Sequence, residues 1–249
     1  MIPITISLLR NPRFFVRSEK KYKVILEAYF LYYQKLPSKE KKQFEKRVNR
    51  FIKLKQFIPR NIDSVSDEMK TLIAASAIQL TFGLPEIYFT HFNKIIIYPD
   101  SYYSSISRMR HKGEVNSRWG IIVLSWNSFL EGYAHSTSAT NLGLHEMAHA
   151  LNLENRILNG EYGFLDMDLL KAWREESRKI MFSIRSGENK FFRKYGGENE
   201  EEFFAVAVES FFERPKEFKR EHPKLYTALS KLLNQDPVEI LTYEPDLNS

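Results

Sequence analysis

Cysteine is absent from the 249-residue chain. Disulfides and thiolate metal sites are thereby excluded, and any metal must rest on His, Asp or Glu. The absence fits a reducing cytoplasm. Long apolar runs are missing too: none approaches the roughly 18 residues that would suggest a membrane span. The apolar start, Met1–Leu9, is far shorter. No basic residue precedes it and no small-residue cleavage site follows, so it reads as a strand or an ordered arm, the alternative being the remnant of a trimmed anchor. There is no internal repeat and no low-complexity segment. Histidine is scarce, six in all, yet two fall within five residues of each other.

What is present is an ordinary globular composition, 43% hydrophobic, with charge unevenly spread. Residues 10–60 hold 16 Lys+Arg against 4 Asp+Glu, a net of +12, which leaves −6 for residues 61–249. Such asymmetry can mark a nucleic-acid or membrane-facing arm. Here the basic residues are threaded through helical apolar spacing, which favours a solvated helix face and argues against nucleic acid as a partner. Tyr22, Ile25, Leu26, Tyr29, Phe30 and Tyr33 have that spacing. So do Phe44, Val48, Phe51 and Ile52, in a helix from Lys39 to about Gln56 that Ser38 would cap. Ser66-Asp67-Glu68 starts another helix, closed by Gly83. Residues 95–98 and 120–125 are β-branched runs that read as core strands, with a polar, turn-like stretch between them. Helices follow at about 139–154, 167–184, 199–213 and 222–234. The fold class is α+β: helices, a small sheet, then helices. We expect a basic helical region, residues 1–60, packed on a catalytic core of residues 61–249.

His145-Glu146-Met147-Ala148-His149 has the H-E-x-x-H form. On a helix, positions i and i+4 share a face, so two imidazoles can converge on one zinc ion. The adjacent Glu146 can then take a proton from a water at the open coordination position. Three fixed positions are a weak signal, and a solvated helix carrying two histidines and a glutamate would fit them. The apolar surroundings, Leu142, Leu144, Met147, Ala148 and Leu151, argue for a metal, because buried imidazoles need partners. A third ligand is sought in the acidic run Glu198–Glu202, where Glu202 is the last acid before an apolar block. The competing role for Glu202 is a capping box with Asn199.

Several separated stretches, taken in order, resemble the Mlc titration factor A family of zinc peptidases. They are Asp67–Ala77, Ile95–Pro99, Val123–Trp126 with Glu131-Gly132, His145–Leu151, Glu202–Val206 with Glu209, Phe211–Glu213 and Pro215, then Pro223–Tyr226 and Gln235–Pro237. The resemblance implies a zincin-like domain, Zn2+ as cofactor, Glu202 as third ligand, and Glu209 beside the site. It puts Asn152 where the family often has Asp, as the acceptor of a ligand histidine's N–H, but without the charge that raises ligand basicity. Similarity to the catalytic domain of anthrax lethal factor implies that Tyr195 hydrogen-bonds the oxyanion. In zincins an edge strand above the metal helix pairs with the extended substrate. Residues 120–125, with Ile122, Val123 and Leu124, are the candidate strand. The implied partners are a peptide or protein substrate and, in a second reading, a transcriptional regulator that the protein sequesters.

Overall fold

The computed structural model describes residues 18–104, 108–134, 140–157 and 163–243. The strand or arm expected at Met1–Leu9 lies outside them. Helices α1 (Ser18–Tyr29), α2 (Leu31–Gln34) and α3 (Ser38–Leu54) come first, and α1 and α3 pack on α4 (Asp67–Thr81). Ser38, expected as a cap, is the first helical residue of α3, with Pro37 before it and no side-chain capping bond. Ser66 does cap α4, its Oγ accepting from Met69 N at 3.1 Å. From Thr71 to Thr81 every residue of α4 is buried, so this helix is the axis of the core. Its far end is closed by a cation. The Arg47 guanidinium, 1% exposed, donates to Thr81 O at 2.8 Å and Phe82 O at 2.9 Å, satisfying terminal carbonyls that the helix leaves unpaired. Gly83, expected to close α4, directly follows its C-cap Phe82 and also makes room: a side chain there would run into the backbone oxygens of Leu233 and Asn234.

The sheet has the order β1 (Gln56–Pro59), β2 (Lys94–Tyr98), β6 (Ile121–Ser125), β5 (Gly113–Asn116). The first three strands are parallel and β5 runs antiparallel to β6. Phe57, Ile95, Ile122 and Val115 form one row across it. A separate ribbon pairs β3 (Tyr102–Ser104) with β4 (Met109–His111). Residues 101–119, expected to be turn-like, thus hold three strands of only three or four residues, too short for a period-2 pattern to register. Strand β1 also went unforeseen. It is hydrogen-bonded into the sheet immediately before residue 60, so the basic helices share one hydrophobic cluster with the rest of the chain, from Tyr22 to Leu233.

The remaining helices are α5 (Trp126–Ala134), α6 (Leu142–Ile157), α7 (Met167–Arg185), α8 (Glu200–Glu213), α9 (Pro215–Glu221), α10 (Pro223–Leu233) and α11 (Pro237–Thr242). Prolines open each of the last three at a position where no N–H is needed. Of these seven, α5, α9 and α11 were not foreseen. The fold is α+β, as the sequence led us to expect. Among the described residues no helix is long and apolar enough to cross a membrane.

Candidate metal centre

Helices α6 and α8 pack against each other, and the candidate site lies between them. Asn141 caps α6 through Oδ1, which accepts from Leu144 N at 3.0 Å. One turn in, His145 and His149 stand on the same face with their Nε2 atoms 3.1 Å apart. Across the interface, Glu202 Oε2 lies 3.4 Å from each of those nitrogens. These three ligand atoms all fall within 4.8 Å of one another.

The N-terminus of α8 settles how Glu202 comes to face inward. Asn199 Oδ1 accepts from both Glu201 N and Glu202 N at 2.9 Å, so the cap is made by the asparagine alone. Glu200 and Glu201 turn outward to Arg178 and Arg156. Glu202 points the other way, and its Oε2 is buried with no hydrogen-bond donor on it. A buried carboxylate oxygen without a donor is costly unless something else satisfies it. Two imidazole nitrogens and one carboxylate oxygen are a donor set suited to zinc, and nitrogens bound at about 2.0–2.1 Å around a tetrahedral centre sit roughly 3.3 Å apart. The residues present therefore fit such an ion.

The carboxylates set the charge of the site. Burial would push the His145 imidazole down, but the Glu202 and Glu209 carboxylates outweigh it and hold its pKa up at about 10. Glu202 is the converse: burial would raise it, yet the neighbouring His145 and His149 imidazoles hold it well below the usual carboxylate range. Glu146, only 5% exposed, is pushed above the usual range by burial, against the opposing pull of His145 and His149. Tyr195 stands on a 3-10 turn, Lys194–Gly197, its ring 6.1 Å from that of His145. Burial and the neighbouring Glu202 push its phenol upward.

Behind the histidines lies Glu209, which the resemblance put beside the site, and with it Arg193, which sequence reasoning missed. Glu209, two turns along α8 from Glu202 and 1% exposed, accepts from His145 Nδ1 at 2.8 Å. The same oxygen, Oε1, also accepts from Arg193 Nη2. In the neutral, ligating form of His145 the Nδ1–H bond leaves the lone pair on Nε2, the nitrogen facing Glu202 and His149. Arg193 neutralises the buried carboxylate and, two residues before Tyr195, ties the tyrosine's turn to the histidine. The only hint of Arg193 in the sequence was Glu209 itself, a glutamate inside an apolar helix, which demands a cation from somewhere.

Two expectations need correction. Asn152 makes no hydrogen bond to either histidine. It lines a small groove with Arg156, Trp173 and Phe204, and the carboxylate on His145 is Glu209 instead. Ile122, Val123 and Leu124 do not lie on an edge. Strand β6 is paired on both sides and Ile122 and Leu124 are wholly buried. The edge beside the site is β5, whose outer side is unpaired among the described residues.

Comparison with known proteins gives a consistent picture. Residues 13–233 match the family model described as glucose-regulated metallo-peptidase M90, so the match includes most of the basic segment. Relatives include an uncharacterized protein of Synechocystis sp., 25% identical over 232 residues, covering 87% of this chain and 84% of the relative. Mlc titration factor A of Escherichia coli is 26% identical over 235 residues, covering 86% of each chain, and its Shigella flexneri counterpart matches equally well.

Proposed function

The chain belongs to the glucose-regulated metallo-peptidase M90 family, and on that premise we propose that it is a zinc-dependent peptidase with a gluzincin-type ligand set. The observation that carries the reading is the convergence of His145 Nε2, His149 Nε2 and the donor-free Glu202 Oε2, with the buried Glu146 carboxylate beside them. His145, His149 and Glu202 would hold the ion. Zinc, when bound there, supplies a Lewis acid that activates water near neutral pH and polarises a carbonyl. Glu146 accepts the proton of the attacking water and returns it to the leaving amine. Burial supports this role by raising its affinity for that proton. Tyr195 donates its O–H to the oxyanion of the tetrahedral intermediate. Glu209, clamped by Arg193, fixes the tautomer and the angle of His145. Strand β5 offers its free backbone edge to an extended peptide. The cysteine-free composition fits a reducing cytoplasm as the compartment of this reaction.

A second reading makes the protein a regulatory binder that sequesters a transcriptional regulator, with weak or conditional peptidase activity. It is favoured by the relatives named as Mlc titration factors. One experiment separates the two: metal analysis of the purified protein together with a peptide-library digest of wild type and Glu146→Gln. The peptidase reading expects about one zinc per chain in both proteins and cleavage by wild type alone. Equal cleavage by both would remove Glu146 from the chemistry, and no cleavage by either would leave the binding role.

A further inference from the structure

Strand β5 begins with a glycine whose presence its own backbone does not require. Glycine weakens a strand and usually marks a bulge, a bend or a close approach. Gly113 has no positive φ, in contrast to Gly120 and Gly187, and it pairs in regular register with Leu124 on β6. Any L-residue could adopt its conformation. What excludes a side chain is the neighbour. A methyl group at position 113 would lie 2.3 Å from Glu146 Oε1, 2.6 Å from Cδ and 2.7 Å from Cγ. All three nearest atoms belong to one side chain, and no backbone atom is among them.

We infer that Gly113 is a positioning residue for catalysis: by carrying no side chain, it lets the Glu146 carboxylate lie flush beneath the edge strand. The inference rests on the reading of Glu146 as the base and of β5 as the substrate edge. It explains how one carboxylate is both buried and adjacent to the place where a peptide would be held. The strand's backbone closes over Glu146 from above and helix α6 supports it from below. A bulkier residue at 113 would turn the carboxylate aside while leaving His145, His149 and Glu202 where they are. The three atoms a methyl would meet are the outer part of a flexible side chain, so the fold can absorb the change by moving Glu146.

The test uses the full chain with Gly113→Ala, Glu146→Ala, Glu146→Gln and the Gly113→Ala/Glu146→Ala double variant. Gly113→Ala should lower kcat by about 100-fold or more, the range expected for a misplaced general base, with zinc affinity within about threefold of wild type. Its effect on the Tm of the zinc-free protein should be present beside Glu146 and vanish in the Glu146→Ala background, because the three nearest atoms it would meet all belong to that side chain. A Tm shift that persists unchanged in the Glu146→Ala background would overturn the proposal, since it would mean that the glycine serves the backbone. Undiminished kcat in Gly113→Ala would overturn it as well. Wild-type turnover by Glu146→Gln is a different failure: it removes the base assignment, whatever the glycine does to stability.

Discussion

Replacing Glu202 with glutamine separates a metal ligand from a helix cap more cleanly than any other change in the molecule. The cap of α8 is made by Asn199 Oδ1 on the backbone N–H groups of Glu201 and Glu202, and glutamine retains that N–H. The carboxylate, 16% exposed, lies 3.4 Å from both imidazoles, and the substitution exchanges its charge for a neutral amide. The useful observable is the rise in Tm on adding zinc, because any effect of the substitution on the zinc-free fold cancels in the difference. At free zinc 100-fold above Kd, binding stabilises the native state by about 2.7 kcal/mol. At roughly 2–4 °C per kcal/mol for a chain of this size, wild type should gain about 5–11 °C. If Glu202→Gln weakens zinc 100-fold, the same zinc concentration equals its Kd, the linkage falls to about 0.4 kcal/mol, and the gain shrinks to about 1–2 °C. Glu200→Gln and Glu201→Gln are the controls. Their partners are Arg178 and Arg156 at the surface, where such pairs contribute about 0–1 kcal/mol, and their zinc-dependent gain should match wild type. Differential scanning fluorimetry with and without zinc reads all four proteins. Equal gains across them would refute Glu202 as a ligand.

Glu209→Gln should weaken zinc binding about 10–100-fold, measured by competition with a chromogenic chelator, because the amide no longer supports His145 with a charge. Arg193→Gln should produce a smaller loss of zinc affinity but a fall in kcat, since it loosens the turn that carries Tyr195. An Arg193→Gln enzyme with wild-type kcat would show that the turn needs no such tie. Arg47→Met should leave the carbonyls of Thr81 and Phe82 without donors and destabilise the protein by about 3 kcal/mol in urea denaturation, with zinc affinity unchanged. Lys55, 8% exposed and bonded to Phe89 O at 2.5 Å, has its pKa lowered from 10.5 to about 8 by burial. Its charged form is thus disfavoured in the fold. That penalty, about 3 kcal/mol, is present below pH 8 and fades as pH rises towards 10.5. Urea denaturation at several pH values should show wild type gaining on Lys55→Met over that window; parallel curves would mean that Lys55 is not buried as a cation.

What could be read from the sequence divides along the physics of the two kinds of element. Every ligand candidate rides on a helix of fourteen or more residues, long enough for period 3.6 to register: His145 and His149 on α6, Glu202 on α8. The histidine spacing itself supplies the geometry, since i and i+4 must share a face. Glu202 was ambiguous because an acid in a first helical turn satisfies the dipole as readily as it binds a metal. What bears on that ambiguity, the cap made by Asn199 and the donor-free oxygen of Glu202, is visible only in the folded chain. The side proposed for the substrate was illegible for the opposite reason. It is built from strands of three to five residues, and β6 looked like the natural edge because its apolar run is the stronger signal. Yet a run apolar at every position marks a strand covered on both faces, and that points to the middle of a sheet. The true edge, Gly113-Glu114-Val115-Asn116, is half-buried, mixed in polarity and led by a glycine, the composition of a strand with one side kept open. The same reasoning accounts for Arg193. An arginine in a loop carries no periodic signal, and it becomes visible only through the charge it must neutralise, the wholly buried Glu209 on a helix far from it in the rest of the pattern. In this fold the two histidines that would bind metal follow from local spacing, whereas the third ligand and the groups that would position the substrate and tune the ligands depend on contacts between elements.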